Sequence, residues 1–267
     1  MQSLDKRSKY LRSLIVEMIE VKKGGHFGPA LSLVEILRVL YDDVLKINPK
    51  DPNNPKRDRL ILSKGHGCLA LYSILFDKGF FNKKILSTFC SFHSPLGGHP
   101  EKGKLPGIEA STGSLGHGLP IGVGIALAAK LRKQKFQTFV IVGDGEINEG
   151  SNWEAFMTAS KYKLDNLTII VDSNKFQSYG ETEKVLKIRP LKRKLESFGL
   201  NVYEVDGHNV QDLRKVLKLV KKKNIPNAII CNTIKGRGFA FAEAKAEWHH
   251  KSNLTEDNIK KMYESLK

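Results

Sequence analysis

The stretch TFVIVGDGEINEGSNWEAFMTASKYKLDNLTIIVDSNKFQ, residues 138–177, reads as strand, glycine turn, helix, strand and polar turn. Thr138–Val142 is an apolar, β-branched run that stops at Gly143-Asp144-Gly145. Asn152–Lys163 carries Trp153, Phe156, Met157 and Ser160 at helical spacing. Leu167–Val171 is a second buried strand, ending at Asp172-Ser173-Asn174-Lys175. A βαβ crossover brings both strand ends to one sheet edge, where open α/β sheets hold ligands. Asp144 and Asn174 are therefore expected close together.

A carboxylate and an amide oxygen suit a hard divalent cation. Mg²⁺ takes one or two protein oxygens and completes its shell with phosphate oxygens and water. Gly145 lacks a Cβ, so a phosphate can approach its backbone. The helix that follows offers unpaired N–H groups and a positive dipole end. The expected ligand is a metal-chelated diphosphate.

Upstream, residues 4–22 form a helix with Leu11, Leu14, Ile15, Met18 and Ile19 on one face. Gly24-Gly25-His26-Phe27-Gly28-Pro29 ends it, and Pro29 can open a second helix, Ala30–Val44. Asp51-Pro52-Asn53-Asn54-Pro55 is a loop by composition. Arg59–Ser63 is a short buried strand that runs into Lys64-Gly65-His66-Gly67 and a helix, Cys68–Lys78, which puts His66 at the ligand edge. Residues 91–113 form a long loop with Gly97-Gly98-His99-Pro100-Glu101, and such loops are usually functional or disordered. Thr112–Gly118 leads into a helix, Leu119–Arg132, whose many Gly and Ala residues permit close packing on a sheet or on another protein chain.

Downstream come a polar segment, 178–190, a helix, Leu191–Phe198, and a strand, Asn201–Val205. The turn Asp206-Gly207-His208-Asn209, a helix, Gln211–Lys223, and a strand, Ala228–Thr233, follow. Lys235-Gly236-Arg237-Gly238 and a last helix from about Thr255 complete the chain. Strands and helices alternate with no internal repeat and no linker. Residues 1–267 are expected to form one three-layer α/β/α domain with a mostly parallel sheet.

Composition narrows the class. No run of eighteen apolar residues occurs and the first twenty residues read as an amphipathic helix with acids, so neither a membrane span nor a signal peptide is expected. Cys68, Cys90 and Cys231 are scattered, without CxxC spacing, which points to reduced thiols in the cytoplasm rather than a zinc site or disulfide frame. The net charge of +16 comes mainly from lysine, in runs such as Lys22-Lys23, Lys192-Arg193-Lys194 and Lys221-Lys222-Lys223. Such runs read as solvated helix faces. Without interleaved aromatics or a basic reading helix they do not point to nucleic acid. An acidic partner chain or anionic sugar phosphates would use the same field.

Nine motifs, in order, resemble the N-terminal diphosphate-binding (PP) domain of transketolase, in the form of a separate small subunit. They are GGHFGP (24–29), SKGHG (63–67), LGGHPE (96–101), TGSLGHG (112–118), GDGEINEG (143–150), DSNKFQSYG (172–180), EVDGHN (204–209), TIKGRG (233–238) and WHH (248–250). Gly-Asp-Gly with Asn174 thirty positions after Asp144 is similar to the thiamine diphosphate signature. The resemblance implies that Asp144, Asn174 and the Phe176 carbonyl hold Mg²⁺, or Ca²⁺ or Mn²⁺. It implies diphosphate or cofactor contacts for His66, Gly113, Leu115, Gly143, Gly145 and Glu146. It implies that His26, His66, His99 and His249 face the sugar and handle protons, and that Glu149 and Glu154 join a carboxylate cluster at a subunit interface.

The residues themselves support this unevenly. A lone histidine in a glycine-rich loop is more often a turn residue than a catalyst, but His26, His66 and His99 all sit in glycine-flanked turns at strand or helix ends. Histidine is also the side chain best able to move protons near neutral pH. His117 reads as a helix-entry residue and His208 as a turn residue, while His93 has no assigned role. An acid near a helix N-terminus is favoured by the dipole alone, so structure and proton relay both stay open for Glu149 and Glu154. The sequence departs from the family at His250, where many transketolases have glycine, and at Ser114, where proline is common.

In the family, the glutamate that activates the cofactor, the pyrimidine pocket and the sugar-phosphate arginines lie in a second domain. The chain is therefore expected to be inactive alone and to pair with a separate pyrimidine-binding, C-terminal transketolase subunit, two copies of each. The reaction implied is transfer of a two-carbon ketol unit from a ketose, or ketose phosphate, to an aldose. Another thiamine diphosphate enzyme, similar to deoxyxylulose-phosphate synthase or a keto-acid dehydrogenase, shares the Gly-Asp-Gly site, though the histidine-rich loops favour a sugar. A non-catalytic basic scaffold on this fold is the remaining alternative.

Overall fold

The structure is a computed structural model, and it describes residues 4–178, 180–220 and 224–267. The chain runs α1 (Lys6–Lys22), α2 (Phe27–Leu31), α3 (Val34–Val39), β1 (Arg59–Leu62), α4 (Cys68–Asp77), α5 (Lys83–Leu86), α6 (Gly118–Leu131) and β2 (Thr138–Gly143). It continues through α7 (Gly150–Lys161), β3 (Leu167–Ser173), a small hairpin of β4 (Phe176–Gln177) and β5 (Gly180–Glu181), and α8 (Thr182–Val185). The last third is α9 (Leu191–Ser197), β6 (Asn201–Asp206), α10 (Val210–Leu219), β7 (Asn227–Asn232) and α11 (Glu256–Glu264).

The main sheet has the order β1-β2-β3-β7-β6, and every neighbouring pair is parallel. Parallel strands covered on both faces read as continuous apolar runs, as β2 and β3 do. Successive side chains alternate between two cores. Phe139, Ile141, Ile170 and Ile229 join α1, α3 and α4 in one. Val140, Val142, Ile169 and Ile230 join α6, α7 and α9 in the other. The three-layer α/β/α expectation holds. The close approach expected of α6 is visible at Gly122, where a Cβ would lie 2.3 Å from Val140 Cγ2.

Three local readings change. The helix expected over Ala30–Val44 is broken into α2, α3 and a π-turn over Leu40–Val44. Helical structure starts two residues ahead of Pro29, because the first turn of a helix does not need that missing N–H. The break falls at Ser32 and Leu33, where Ser32 Oγ reaches out 2.6 Å to Asp172. The polar segment 178–190 contains β5, which pairs with β4 just ahead of it, and α8, elements too short to show periodicity. The helix expected over Gln211–Lys223 is helical to Leu219, and Lys221-Lys222-Lys223 lies outside the described residues, as does Tyr179. Lys22, Lys23, Lys192 and Arg193 are exposed, as solvated faces should be. Cys68, Cys90 and Cys231 are free thiols. No helix among the described residues is long and apolar enough to cross a membrane.

Candidate active site

β2 and β3 lie side by side with Gly143 opposite Asp172, so the residues just beyond them meet at the C-terminal edge of the sheet. Asp144 Oδ1 accepts from Gly145 N–H at 2.8 Å and Oδ2 from Lys175 N–H at 2.7 Å. Asn174 Nδ2 donates to Asp172 Oδ2 at 3.2 Å, which fixes its amide, and its Oδ1 accepts from Phe176 N–H at 3.0 Å. Burial raises the Asp144 carboxyl to about 6, and the neighbouring Asp172 charge adds to the effect.

Four histidines converge beside this pair. His26 is central, with ring centroids 5.5 Å from His66, 5.7 Å from His99 and 5.2 Å from His249. His250 also packs edge-on against His26, at 4.7 Å. Burial lowers His26 to about 4, with His250 and His99 contributing, and lowers His249 to about 3, with Lys235 contributing. His66 is pushed well down by burial and by Lys64, and His99 is lowered by burial. These rings are therefore neutral at pH 7, able to donate at one nitrogen and accept at the other.

A cavity of about 450 Å³ joins the two groups; its walls include His26, His66, His99, Gly113, Asp144 and Asn174. Leu115, Gly143, Gly145, Glu146, Glu149, Phe176 and His249 line it as well. Of the sequence-predicted site residues, only Glu154 stands apart, exposed on α7. Tyr72 holds the His99 loop, donating to the carbonyls of Gly97 at 3.0 Å and His99 at 3.1 Å.

Residues 4–267 match the family described as transketolase, thiamine diphosphate binding domain. The chain belongs to the transketolase family. It is 47% identical over 249 residues to a subunit of the apulose-4-phosphate transketolase of Actinobacillus succinogenes, covering 93% of this chain and 90% of that one. It is 39% identical over 255 residues to the 6-deoxy-6-sulfo-D-fructose transketolase subunit SqwG of a Clostridium species, covering 95% and 92%. Transketolase from Leishmania mexicana superposes with a TM-score of 0.91 at 30% identity, covering 100% of this chain and 41% of that one. Transketolase from Campylobacter jejuni gives 0.91 at 34% identity, covering 98% and 42%. The chain thus spans about two fifths of the solved transketolases it matches.

Within this transketolase frame, Gly145 and Glu146 make contacts that their sequence reading did not include. Gly145 is required by a protein contact, since a Cβ there would lie 2.4 Å from Gln177 Cβ. Its N–H is turned onto Asp144, and a 3₁₀ turn over Gly145–Asn148, not the α-helix, comes next. The Glu146 carboxylate faces inward. It accepts from Ser63 Oγ at 2.5 Å, Gly143 N–H at 3.0 Å and Gly116 N–H at 3.1 Å, knotting together the turns that carry the cavity wall.

Sequence reasoning missed three charged residues of the floor. Lys64 and Asp172 form an ion pair at 2.5 Å with side chains 1% and 0% exposed. Asp172 also accepts from Ser32 and Thr233. Lys235 is buried, with Nζ 2.8 Å from His249 Nδ1 and 3.1 Å from the Ser178 carbonyl. Burial lowers its ammonium to about 7, with Lys64 contributing. The signal that singled out the histidines, a polar residue in a glycine-flanked turn at a strand end, was equally present in SKGHG and TIKGRG.

The donor set fits a thiamine diphosphate held through a divalent cation. One carboxylate, one oriented amide oxygen and a backbone carbonyl match Mg²⁺ chemistry, and the buried Lys235 ammonium suits a diphosphate. Among the described residues no three His, Cys, Asp or Glu side chains form a metal cluster, so a cation here would depend on ligand oxygens as well.

Proposed function

We propose that residues 1–267 act as one domain, the diphosphate- and metal-binding subunit of a two-chain transketolase that moves a two-carbon ketol unit from a ketose, or its phosphate, to an aldose. The observation that carries this is the single cavity in which Asp144 and Asn174 meet His26, His66, His99 and His249. Asp144, Asn174 and the Phe176 carbonyl hold the cation. Lys235, His66 and the backbone around Gly113, Leu115 and Gly143 contact the cofactor. When bound, thiamine diphosphate supplies the nucleophilic carbon and the electron sink.

The protein supplies orientation and proton transfer. His26, His99 and His249 are neutral, so they hydrogen-bond sugar hydroxyls in either direction without drawing a counter-ion. His66, beneath His26, does the same near the cofactor. Glu146 and Tyr72 keep the surrounding loops in register.

A partner chain is supported by the relatives named as subunits and by the face beside the cavity. Glu149, which caps α7, and Glu154 and Met157 on α7 are exposed, as are Ile121 and Leu131 on α6, the helix packed against α7. Exposed apolar side chains and carboxylates on two packed helices suit a protein interface. The partner is a pyrimidine-domain transketolase chain, in a complex of two plus two.

The test is to purify the tagged chain from its own host under mild conditions. One companion chain with bound thiamine diphosphate, and ketol transfer only with both chains together, is the expected result. A chain that comes alone and does not bind thiamine diphosphate with Mg²⁺ overturns the reading.

A further inference from the structure

The turn after β6 carries a histidine that the chemistry above does not use. His208 looks like a turn residue in sequence, yet its side chain is only 8% exposed and is joined at both ring nitrogens. Nε2 accepts from the Ile234 backbone N–H at 2.8 Å. Nδ1 lies 2.8 Å from Glu35 Oε2. A backbone N–H has no lone pair, so Nε2 must present one, and the ring proton must then sit on Nδ1 and point at Glu35. The two contacts select one neutral tautomer.

Glu35 is itself held. Arg12, fully buried, donates to its two oxygens at 2.6 and 3.1 Å. The same guanidinium donates from Nε to the Arg237 carbonyl at 2.8 Å. His208 and Arg12, bridged by Glu35, therefore grip the segment Ile234–Arg237 at both ends. One takes its first N–H and the other its last carbonyl. Between these grips sits Lys235, whose Nζ reaches His249 and the Ser178 carbonyl in the cavity.

We propose that His208 is a positioning residue for Lys235: clamped by Glu35, it fixes the Ile234 amide and so sets the lysine ammonium against His249. Its consequence for cofactor affinity rests on the reading of the cavity given above; its consequence for Lys235 does not. The histidine ring donates on one side and accepts on the other, and it is the acceptor toward Ile234 that bears on Lys235. Asn and Gln each reproduce half of this bonding. Asn can put a donor where Nδ1 stands but offers no acceptor to Ile234. Gln can place its oxygen near the Nε2 position but leaves Glu35 without that donor.

The experiment uses the chain together with its companion chain and compares H208N, H208Q and K235M. First, Lys235 is labelled with acetic anhydride in the absence of cofactor, and its labelling rate is followed by mass spectrometry. H208N should raise the rate about tenfold, the scale of one lost hydrogen bond to a buried group, while H208Q stays near wild type. Second, thiamine diphosphate is titrated at fixed Mg²⁺. H208N should weaken binding about tenfold, H208Q should restore it, and H208N should cost nothing more in a K235M background.

A residue that merely braced Glu35 would give the reverse order, with H208Q the worse variant. That order, an unchanged labelling rate in H208N, or additive losses for H208N and K235M would each overturn the proposal. If wild type bound no thiamine diphosphate, the cavity reading would fall, and the labelling rates would still decide the role of His208.

Discussion

Replacing Asp172 by Asn keeps the shape of the cavity floor and removes its charge. Four donors converge on this carboxylate: Lys64 at 2.5 Å, Ser32 at 2.6 Å, Asn174 at 3.2 Å, and Thr233. Burial acts to raise its pKa, but Lys64, Ser32 and Thr233 outweigh that, and the carboxyl lies below the usual range. The single variant leaves Lys64, 1% exposed, without its counter-charge, with the Pro29 carbonyl at 3.3 Å and at most one amide oxygen as acceptors among the described residues. The new amide also aims N–H groups at donors that previously pointed at oxygen.

Stranding one member of a buried pair costs about 3–5 kcal/mol. That is a large part of the roughly 5–15 kcal/mol that holds a typical domain together. At roughly 2–4 °C per kcal/mol for a chain of this size, the melting midpoint should fall by about 6–20 °C. K64M should cost a similar amount, since it strands the carboxylate. The double variant D172N/K64M removes both charges, so its loss should be smaller than the sum of the singles by at least about 2 kcal/mol. Urea unfolding of the three variants, followed by circular dichroism, measures the coupling directly. Single losses that add within about 0.5 kcal/mol would refute the claim that the pair acts as a unit.

Three further outcomes are expected. Because the folded state holds His26 near 4 and His249 near 3 while the unfolded chain protonates near 6.5, stability should be level above about pH 6.5 and fall as pH drops toward 4. A profile that stays flat down to pH 4.5 in denaturation curves, or a slope unaltered in a His26→Asn, His249→Asn double variant, counts against the buried neutral rings. Gly122→Ala should destabilise by about 1–3 kcal/mol, since its Cβ would strike Val140; Gly124→Ala, with nothing within 4 Å, should gain roughly 0.5–1 kcal/mol, and equal melting shifts would undo this account of α6. His99→Ala should lower turnover of the assembled enzyme about a hundredfold while cofactor affinity stays near wild type; unchanged turnover removes His99 from the mechanism.

The β2–α7–β3 unit was legible because each part carried its own period and its own stop, and parallel crossovers leave little freedom in where strand ends go. Asp144 and Asn174 follow from that topology, so their meeting needed no contact information. The histidines were legible as a set, through shared glycine-flanked turns. What stayed hidden were partnerships. Nothing near Lys64 in sequence points to Asp172, 108 positions on, and Asp172 read only as part of a strand-end turn. Gly145 was singled out for the approach of a phosphate, and sequence could not show that Gln177 also occupies the space that a side chain would need. Ser32 looked like an unremarkable helix residue because its bond to Asp172 is a tertiary fact that overrides local propensity.

The charges of the cavity divide into two groups, and the division says how a cofactor would be held. Lys64 and Asp172 already answer each other. Asp144 and Lys235 do not pair, and burial drives both toward their uncharged forms. A cation at Asp144 and a diphosphate at Lys235 would each favour the charged state of its own neighbour. Each would also supply the counter-charge that the other lacks. Coupling of this kind is reciprocal: if Mg²⁺ tightens thiamine diphosphate by some factor, thiamine diphosphate tightens Mg²⁺ by the same factor. Lys235→Met should weaken that coupling as well as the affinity itself. A lysine that only filled space beside His249 would leave the coupling unchanged, so titrating each ligand at several fixed concentrations of the other separates a charge-coupled site from a merely well-shaped one.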